Sequence, residues 1–223
     1  MQKALVVVAH PDDEVLGCGG TVARLRRQGV EVRFIVCGEG VTSREDADQT
    51  QVAELDVHLR QAAKILGVDD VFHLEFPDNR FDARDRLDLI KAVEAHGLSF
   101  EPDVVFTHHP SDLNIDHRYV HDAVMTAFRP LPHTKPVALY GVEIASSTGW
   151  GAAESAPAFV PNVFADITET LDQKIAAMDA YASEKRAWPH PRSAEALRAA
   201  ARYWGSRVGL EAAEPFVLFR SYF

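Results

Sequence analysis

Leu5-Val6-Val7-Val8-Ala9-His10-Pro11-Asp12-Asp13-Glu14 joins a β-branched apolar run to an imidazole and three carboxylates. The apolar half, taken from Lys3 to Ala9, reads as a short strand buried on both faces. Charged side chains beside a core are costly unless something compensates them, and a divalent cation is a usual partner. The strand end therefore predicts a metal site.

Beyond this loop the chain alternates helix and strand patterns. Gly17-Cys18-Gly19-Gly20 reads as part of the loop, Thr21 to Gln28 as a helix stopped by Gly29, and Glu31 to Cys37 as a second strand. A polar loop (Gly38 to Asp48) leads to a helix from about Gln51 to Leu66, ended by Gly67. Val71 to Leu74 is a third strand, Arg86 to Ala95 a helix, Asp103 to Thr107 a fourth strand, His117 to Phe128 a helix and Val137 to Ile144 a fifth strand. This alternation predicts an α/β fold, a Rossmann-like and mostly parallel sheet with helices on both faces, its strands in the order 3-2-1-4-5. After Ser146 the pattern changes. A Gly/Ala/Ser/Pro-rich stretch from Gly149 to Pro157 precedes a strand at Val163 to Ile167, helices at Leu171 to Ser183 and Ala194 to Gly205, and a strand near Phe216 to Phe219. Without a repeat or long linker, residues 1–223 read as one domain, a core over 1–146 and a C-terminal elaboration over 147–223.

The chain is 47% hydrophobic and 25% charged, the balance of an ordinary globular protein. A net charge of -10 argues against a general nucleic-acid binder, which needs a basic patch. Cys18 and Cys37 read as free, buried thiols of a reducing compartment. The N-terminal apolar run is too short for a signal peptide, and no stretch approaches the ~18 apolar residues of a membrane span. A cytoplasmic location is expected.

Open parallel sheets bind ligands at the carboxyl ends of their strands, where strand order reverses. In the predicted order, strands one and four meet there. The loop after strand one carries His10, Asp12, Asp13 and Glu14; the segment after strand four carries His108, His109, Asp112, Asn114, Asp116 and His117. Two nitrogens and a carboxylate suit catalytic zinc better than calcium or magnesium. His10 and Asp13 supply two ligands, and His117, fixed at a helix start, is the preferred third. Asp12 is left as a candidate general base. Taken singly, each residue also has a structural explanation: a helix N-terminus favours the acidic run, for example.

The AHPDDE box of residues 9–14 and the distal segment Asp112-Leu113-Asn114-Ile115-Asp116-His117-Arg118 resemble the PIG-L/LmbE family of zinc-dependent de-N-acetylases. The resemblance spans roughly residues 3 to 145. It implies hydrolysis of an acetamide on an amino-sugar conjugate, usually of N-acetylglucosamine, with His10, Asp13 and His117 as zinc ligands and Asp12 as base. Iron(II), cobalt or manganese would also suit these ligands, and a homo-oligomer is in keeping with the family. Many members carry a histidine where this chain has Asn114. An amide can donate to a developing oxyanion but cannot act as a cationic acid, so His109 or His121 is an alternative proton donor.

Asp116 and His121 are expected to orient ligands. Arg44 could hold a sugar hydroxyl or phosphate, or be a solvent-exposed arginine. Asp78 could bind sugar hydroxyls or form a turn. His190 and Arg192, in a Pro-rich loop, could bind an anionic part of the substrate or belong to an ordinary surface loop. Among rival readings, a dinucleotide-binding oxidoreductase fails on spacing, because Val22 stands where G-x-G-x-x-G needs its last glycine. A non-catalytic metal-binding module and an amide hydrolase acting on a thiol conjugate both remain compatible with the residues.

Overall fold

β1 (Lys3–Val8) lies in the middle of the molecule, and its residues from Ala4 onward are fully buried. Its alternating side chains feed two cores. Ala4, Val6 and Val8 pack with apolar residues of α1 (Asp13–Arg27), α2 (Gln49–Leu66), α5 (Leu171–Ala180) and α6 (Ala194–Ser206). Leu5, Val7 and Ala9 pack on the other face with α3 (Arg86–Gly97) and α4 (Ile115–Ala127). A strand with no solvent face can dispense with polar alternation, which explains the continuous Leu-Val-Val-Val run.

The computed structural model describes residues 1–45, 48–151 and 158–222. The remaining strands are β2 (Glu31–Gly38), β3 (Asp70–Phe76), β4 (Val104–His108), β5 (Ala138–Val142), β6 (Val163–Asp166) and β7 (Ala213–Arg220). The sheet order is β3-β2-β1-β4-β5-β7-β6. The first five strands are parallel and in the predicted order; β7 runs antiparallel to β5, and β6 antiparallel to β7. The C-terminal third thus extends the same sheet and adds α5 and α6 to one face. Residues 152–157 of the Gly/Ala/Ser/Pro-rich stretch, and 46–47 of the polar loop, lie outside the described residues. Among the described residues no helix is long and apolar enough to cross a membrane.

The glycine run departs from expectation. It lies inside α1, which begins at Asp13 and passes through residues 17–20 with one break, at Cys18 (φ -150°, ψ 20°). Two glycines are needed for close approach: a Cβ on Gly17 would lie 2.7 Å from Val142 Cγ2, and one on Gly20 2.9 Å from Ile167 Cβ. The break exposes helix-terminal groups inside the protein, where they need partners. Glu214 of β7 accepts from the backbone N–H groups of Gly20 (2.9 Å) and Thr21 (2.7 Å). Lys174 of α5 donates to the Leu16 carbonyl (2.8 Å) and pairs with Glu214 at 2.6 Å. An anion sits at the start of the second half-helix and a cation at the end of the first, as the peptide dipoles favour.

Lys174 and Glu214 are both buried, so removing one member leaves the other uncompensated. Glu214→Ala is expected to lower the unfolding free energy by roughly 3–5 kcal/mol in urea denaturation. A loss below about 1 kcal/mol would mean that the pair does not hold the broken helix together.

Candidate metal centre

The carboxyl ends of β1 and β4 bring the two predicted segments into contact. His10 Nδ1, Asp13 Oδ2 and His117 Nε2 form a triangle with sides of 3.2, 3.3 and 3.6 Å. All three residues are buried or nearly so. Ligand atoms ~2.0–2.2 Å from one tetrahedral zinc lie roughly 3.3–3.5 Å apart, so the triangle fits one such ion.

The outer nitrogen of each imidazole meets a carboxylate. His10 Nε2 is 3.0 Å from Asp116 Oδ2 and 3.1 Å from Asp78 Oδ1; His117 Nδ1 is 3.1 Å from Asp112 Oδ2. Such contacts fix a ligand histidine's tautomer and orientation. Among the described residues two other sets of close donors exist, His108/Asp112/His117 and His10/Asp78/Asp116. The first is already engaged, because His108 Nε2 accepts from the Ala9 N–H at 2.8 Å. In the second, both carboxylates hold backbone or hydroxyl donors: Asp116 takes the N–H groups of Asn79 (2.6 Å) and Phe81 (3.1 Å), and Asp78 the Ser43 hydroxyl (2.5 Å). The His10/Asp13/His117 set is the one whose geometry and partners suit a metal.

The electrostatics agree with a missing positive charge. Burial pulls the His117 imidazole down, but Asp13 and Asp112 outweigh it and raise its pKa to about 9. Burial likewise opposes protonation of His10, and Asp116, Asp13 and Asp78 overcome it. Four buried carboxylates thus draw protons onto two imidazoles, and a bound cation would replace those protons.

Asp12 stands beside the triangle and is only 2% exposed. Its backbone is left-handed (φ 103°), a strained conformation for a residue with a side chain. Although it caps α1, its carboxylate makes no capping bond. Glu14 takes the Asp12 N–H instead (3.1 Å), its other oxygen held by the Tyr181 hydroxyl at 2.5 Å. The freed Asp12 carboxylate meets the Arg192 guanidinium at 2.7 Å. Burial raises its pKa to about 7 in spite of Arg192.

Beyond the triangle lies a cavity of about 150 Å³ whose lining includes Asp12, Arg44, Asp78, Asn114, Glu184 and Arg192. Asn114 caps α4, its side-chain oxygen accepting from the Asp116 N–H (2.9 Å), and its amide N–H groups have no hydrogen-bond partner among the described residues. Arg44 donates to both oxygens of Glu184, at 2.7 and 2.8 Å.

Four residues expected at the site lie elsewhere or in another role. His121 Nδ1 bonds the His108 carbonyl at 2.9 Å and its ring packs on Phe219, outside the cavity. His190 accepts from the Arg192 N–H (3.1 Å) and faces Trp150. Arg192 is held by Asp12, Glu184 and Ser146, so it supports the base candidate where an anion-binding group was expected. His109 is buried against Ser111, Phe159 and Phe219 and lies off the cavity. The residues without an assigned role in the sequence reading are Asp112, which meets His117 and takes the hydroxyls of Ser147 (3.0 Å) and Thr148 (2.6 Å), and Glu184. The sequence signals for Asp112 were the density of acids around His117 and its place at the head of the distal segment.

The family model for PIG-L, GlcNAc-PI de-N-acetylase, matches residues 5–128. The chain is 29% identical over 184 residues to the uncharacterized deacetylase YaiS of Escherichia coli, covering 80% of this chain and 90% of YaiS. It is 27% identical over 194 residues to a probable N-acetyl-alpha-D-glucosaminyl L-malate deacetylase 2 of Bacillus cereus (83% and 85%). Among solved structures, the conserved protein TT1542 of Thermus thermophilus superposes with a TM-score of 0.77 at 29% identity, over 100% of this chain and 97% of that one. GalB, a 4-carboxy-2-hydroxymuconate hydratase of Pseudomonas putida, gives 0.81 at 22% identity (100% and 98%), a likeness of fold alone.

Removing the carboxylate behind His117 tests the arrangement directly. Asp112→Ala is expected to weaken zinc binding about 10- to 100-fold in a chelator competition. His121→Ala, which loses only a bond to the β4 backbone, is expected to leave zinc binding unchanged.

Proposed function

The chain belongs to the PIG-L family, and from that premise we propose that it is a metal-dependent hydrolase that removes the acetyl group from an N-acetylglucosamine unit of a conjugate. The observation that carries this reading is the buried His10/Asp13/His117 triangle with the Asp12 carboxylate beside it, turned to the cavity and off the helix cap. Both relatives above are named as deacetylases, and one is named for an N-acetylglucosaminyl conjugate. Residues 1–223 act here as one unit, since Arg192 of the C-terminal third reaches Asp12. A cytoplasmic setting suits the two buried free thiols.

A divalent ion on His10, Asp13 and His117, zinc by the donor set, would polarise the amide carbonyl and make water a nucleophile near neutral pH. The chain's own groups do the rest. Asp12 accepts a proton from the attacking water and returns it to the sugar nitrogen as the C–N bond breaks, giving acetate and a free amine. Arg192 holds the Asp12 carboxylate in place. Asn114 donates from its free amide N–H to the oxygen that gains charge. Asp116 and Asp112 keep the two imidazoles aligned, and Asp78 and Arg44 face the sugar.

Acetate release from N-acetylglucosamine conjugates by the zinc-loaded protein tests this. Asp12→Asn is expected to retain zinc and lose about 10²–10⁴-fold in kcat. Full turnover in that variant removes Asp12 as the base, and loss of zinc along with turnover removes the separation of roles. Arg192→Ala is expected to retain zinc and lose up to about 10²-fold in kcat through misplacement of Asp12.

A further inference from the structure

Resting on the deacetylase reading above, we propose that Tyr181 and Glu184 are positioning residues for Asp12. Tyr181 acts on its backbone through Glu14 and Glu184 on its carboxylate through Arg192, and Glu184 ties Arg44 to the same brace.

One turn carries both residues. Tyr181 ends α5, and its carbonyl accepts from the backbone N–H groups of Glu184 and Lys185, each at 3.0 Å. The turn is anchored in the core. Leu171, Ile175, Ala177 and Met178 of α5 are buried, Tyr181 is fully buried, and its ring meets His58 of α2 edge-on. Groups delivered from a close-packed element keep a narrower range of positions than groups on a loose loop.

The two residues reach opposite ends of Asp12. On the backbone side, the Tyr181 hydroxyl donates to Glu14 Oε1 at 2.5 Å, and Glu14 Oε2 accepts from the Asp12 N–H at 3.1 Å. That N–H belongs to the residue whose left-handed backbone needs support from its surroundings. On the side-chain side, Arg192 Nη1 lies between Asp12 Oδ2 (2.7 Å) and Glu184 Oε2 (3.3 Å), while Arg192 Nε donates to Ser146 Oγ at 2.8 Å. Among the described residues Arg192 is the one side chain that donates to the Asp12 carboxylate, so where the guanidinium rests decides where the base points. Glu184 is only 3% exposed, and a carboxylate so buried is stable only with its cations in place. It therefore holds Arg192 against drift.

Glu184 has a second partner on the substrate side. Both of its oxygens accept from Arg44 Nη2, at 2.7 and 2.8 Å. Arg44 gives Glu184 that one nitrogen, and its side chain stays 43% exposed beside the cavity. One buried carboxylate thus joins the arginine set against the sugar to the arginine that holds the base. A shift of about 1 Å in a base costs up to roughly 10²-fold in rate. Loss of the Glu184 charge therefore falls on kcat through Arg192 and on KM through Arg44. Loss of the Tyr181 hydroxyl falls on kcat alone.

The zinc-loaded protein and its variants are assayed for acetate release from N-acetylglucosamine, N,N′-diacetylchitobiose and N-acetylglucosaminyl malate, and kcat and KM are compared on the compound turned over fastest. Tyr181→Phe, which keeps the ring, is expected to lower kcat about three- to thirtyfold with KM within about twofold. Glu184→Gln is expected to lower kcat roughly ten- to a hundredfold and to raise KM several-fold. Both variants are expected to keep wild-type zinc affinity in a chelator competition. Lys185→Ala, which removes only an exposed pair with Asp179 from the same turn, is expected to leave both constants unchanged. In an Arg192→Ala background, Glu184→Gln is expected to cost no further kcat, because it acts through Arg192; independent roles would multiply the two losses. Wild-type kcat in Tyr181→Phe or Glu184→Gln, a loss explained by weakened zinc binding, or multiplied losses in the double variant overturns the proposal and leaves the deacetylase reading intact. Absence of acetate from all three compounds with the wild-type protein overturns that reading and this inference with it.

Discussion

Two imidazoles share four buried carboxylates at the carboxyl ends of β1 and β4, and much of the molecule is arranged around the charge this leaves. Asp13 lies between His10 and His117; Asp78 and Asp116 hold one ring, and Asp112 the other. Such a cluster tolerates burial only where hydrogen bonds and a cation compensate it. The sheet order answers the first need. It brings the turn after β3 (Asn79), the Phe81 backbone and the Ser147–Thr148 turn after β5 close enough to donate to these acids. A cation would answer the second, and the triangle of ligand atoms has the dimensions to hold one.

The same constraint accounts for the strained start of α1. An acid at a helix N-terminus would normally cap it. At Asp12 the backbone is left-handed and the carboxylate meets Arg192, while Glu14 accepts from the Asp12 N–H. A conformation costing about 1–3 kcal/mol persists because Arg192, Glu14 and the helix itself over-determine it. The broken helix behind it is held by Lys174 and Glu214. Both come from the C-terminal third, so that part of the chain serves the loop of residues 9–14 as well as the sheet.

Much of the fold could be read from residue pattern. The Leu5–Val8 run declares a strand buried on both faces, and the alternation of elements leads to the order of the first five strands. The glycine run could not be read correctly. Three glycines in four residues suppress helix propensity, and α1 continues through them only because Glu214 and Lys174, some 150 or more residues away, satisfy the break. The site shows the same division. That His10, Asp12, Asp13 and His117 come together is legible, because their loops follow the neighbouring strands β1 and β4. Asp112 and Glu184 are not, because their roles depend on where the Ser147 turn and the Arg192 loop come to rest. Arg192 was legible as a site residue, but its pairing with Asp12 was not, since the two are 180 positions apart.

That separation has a consequence for biosynthesis. On the ribosome, the AHPDDE loop and the His117 helix emerge and can meet while the last third is still unmade. Arg192 and Glu214 follow His117 much later in the chain. An emerging chain therefore carries exposed acids and imidazoles with no brace for Asp12 and no partner for the interrupted helix, and contacts of such long sequence separation form slowly. Asp12 gains its Arg192 brace, and the interrupted helix its Lys174 and Glu214 partners, only once those later segments are made.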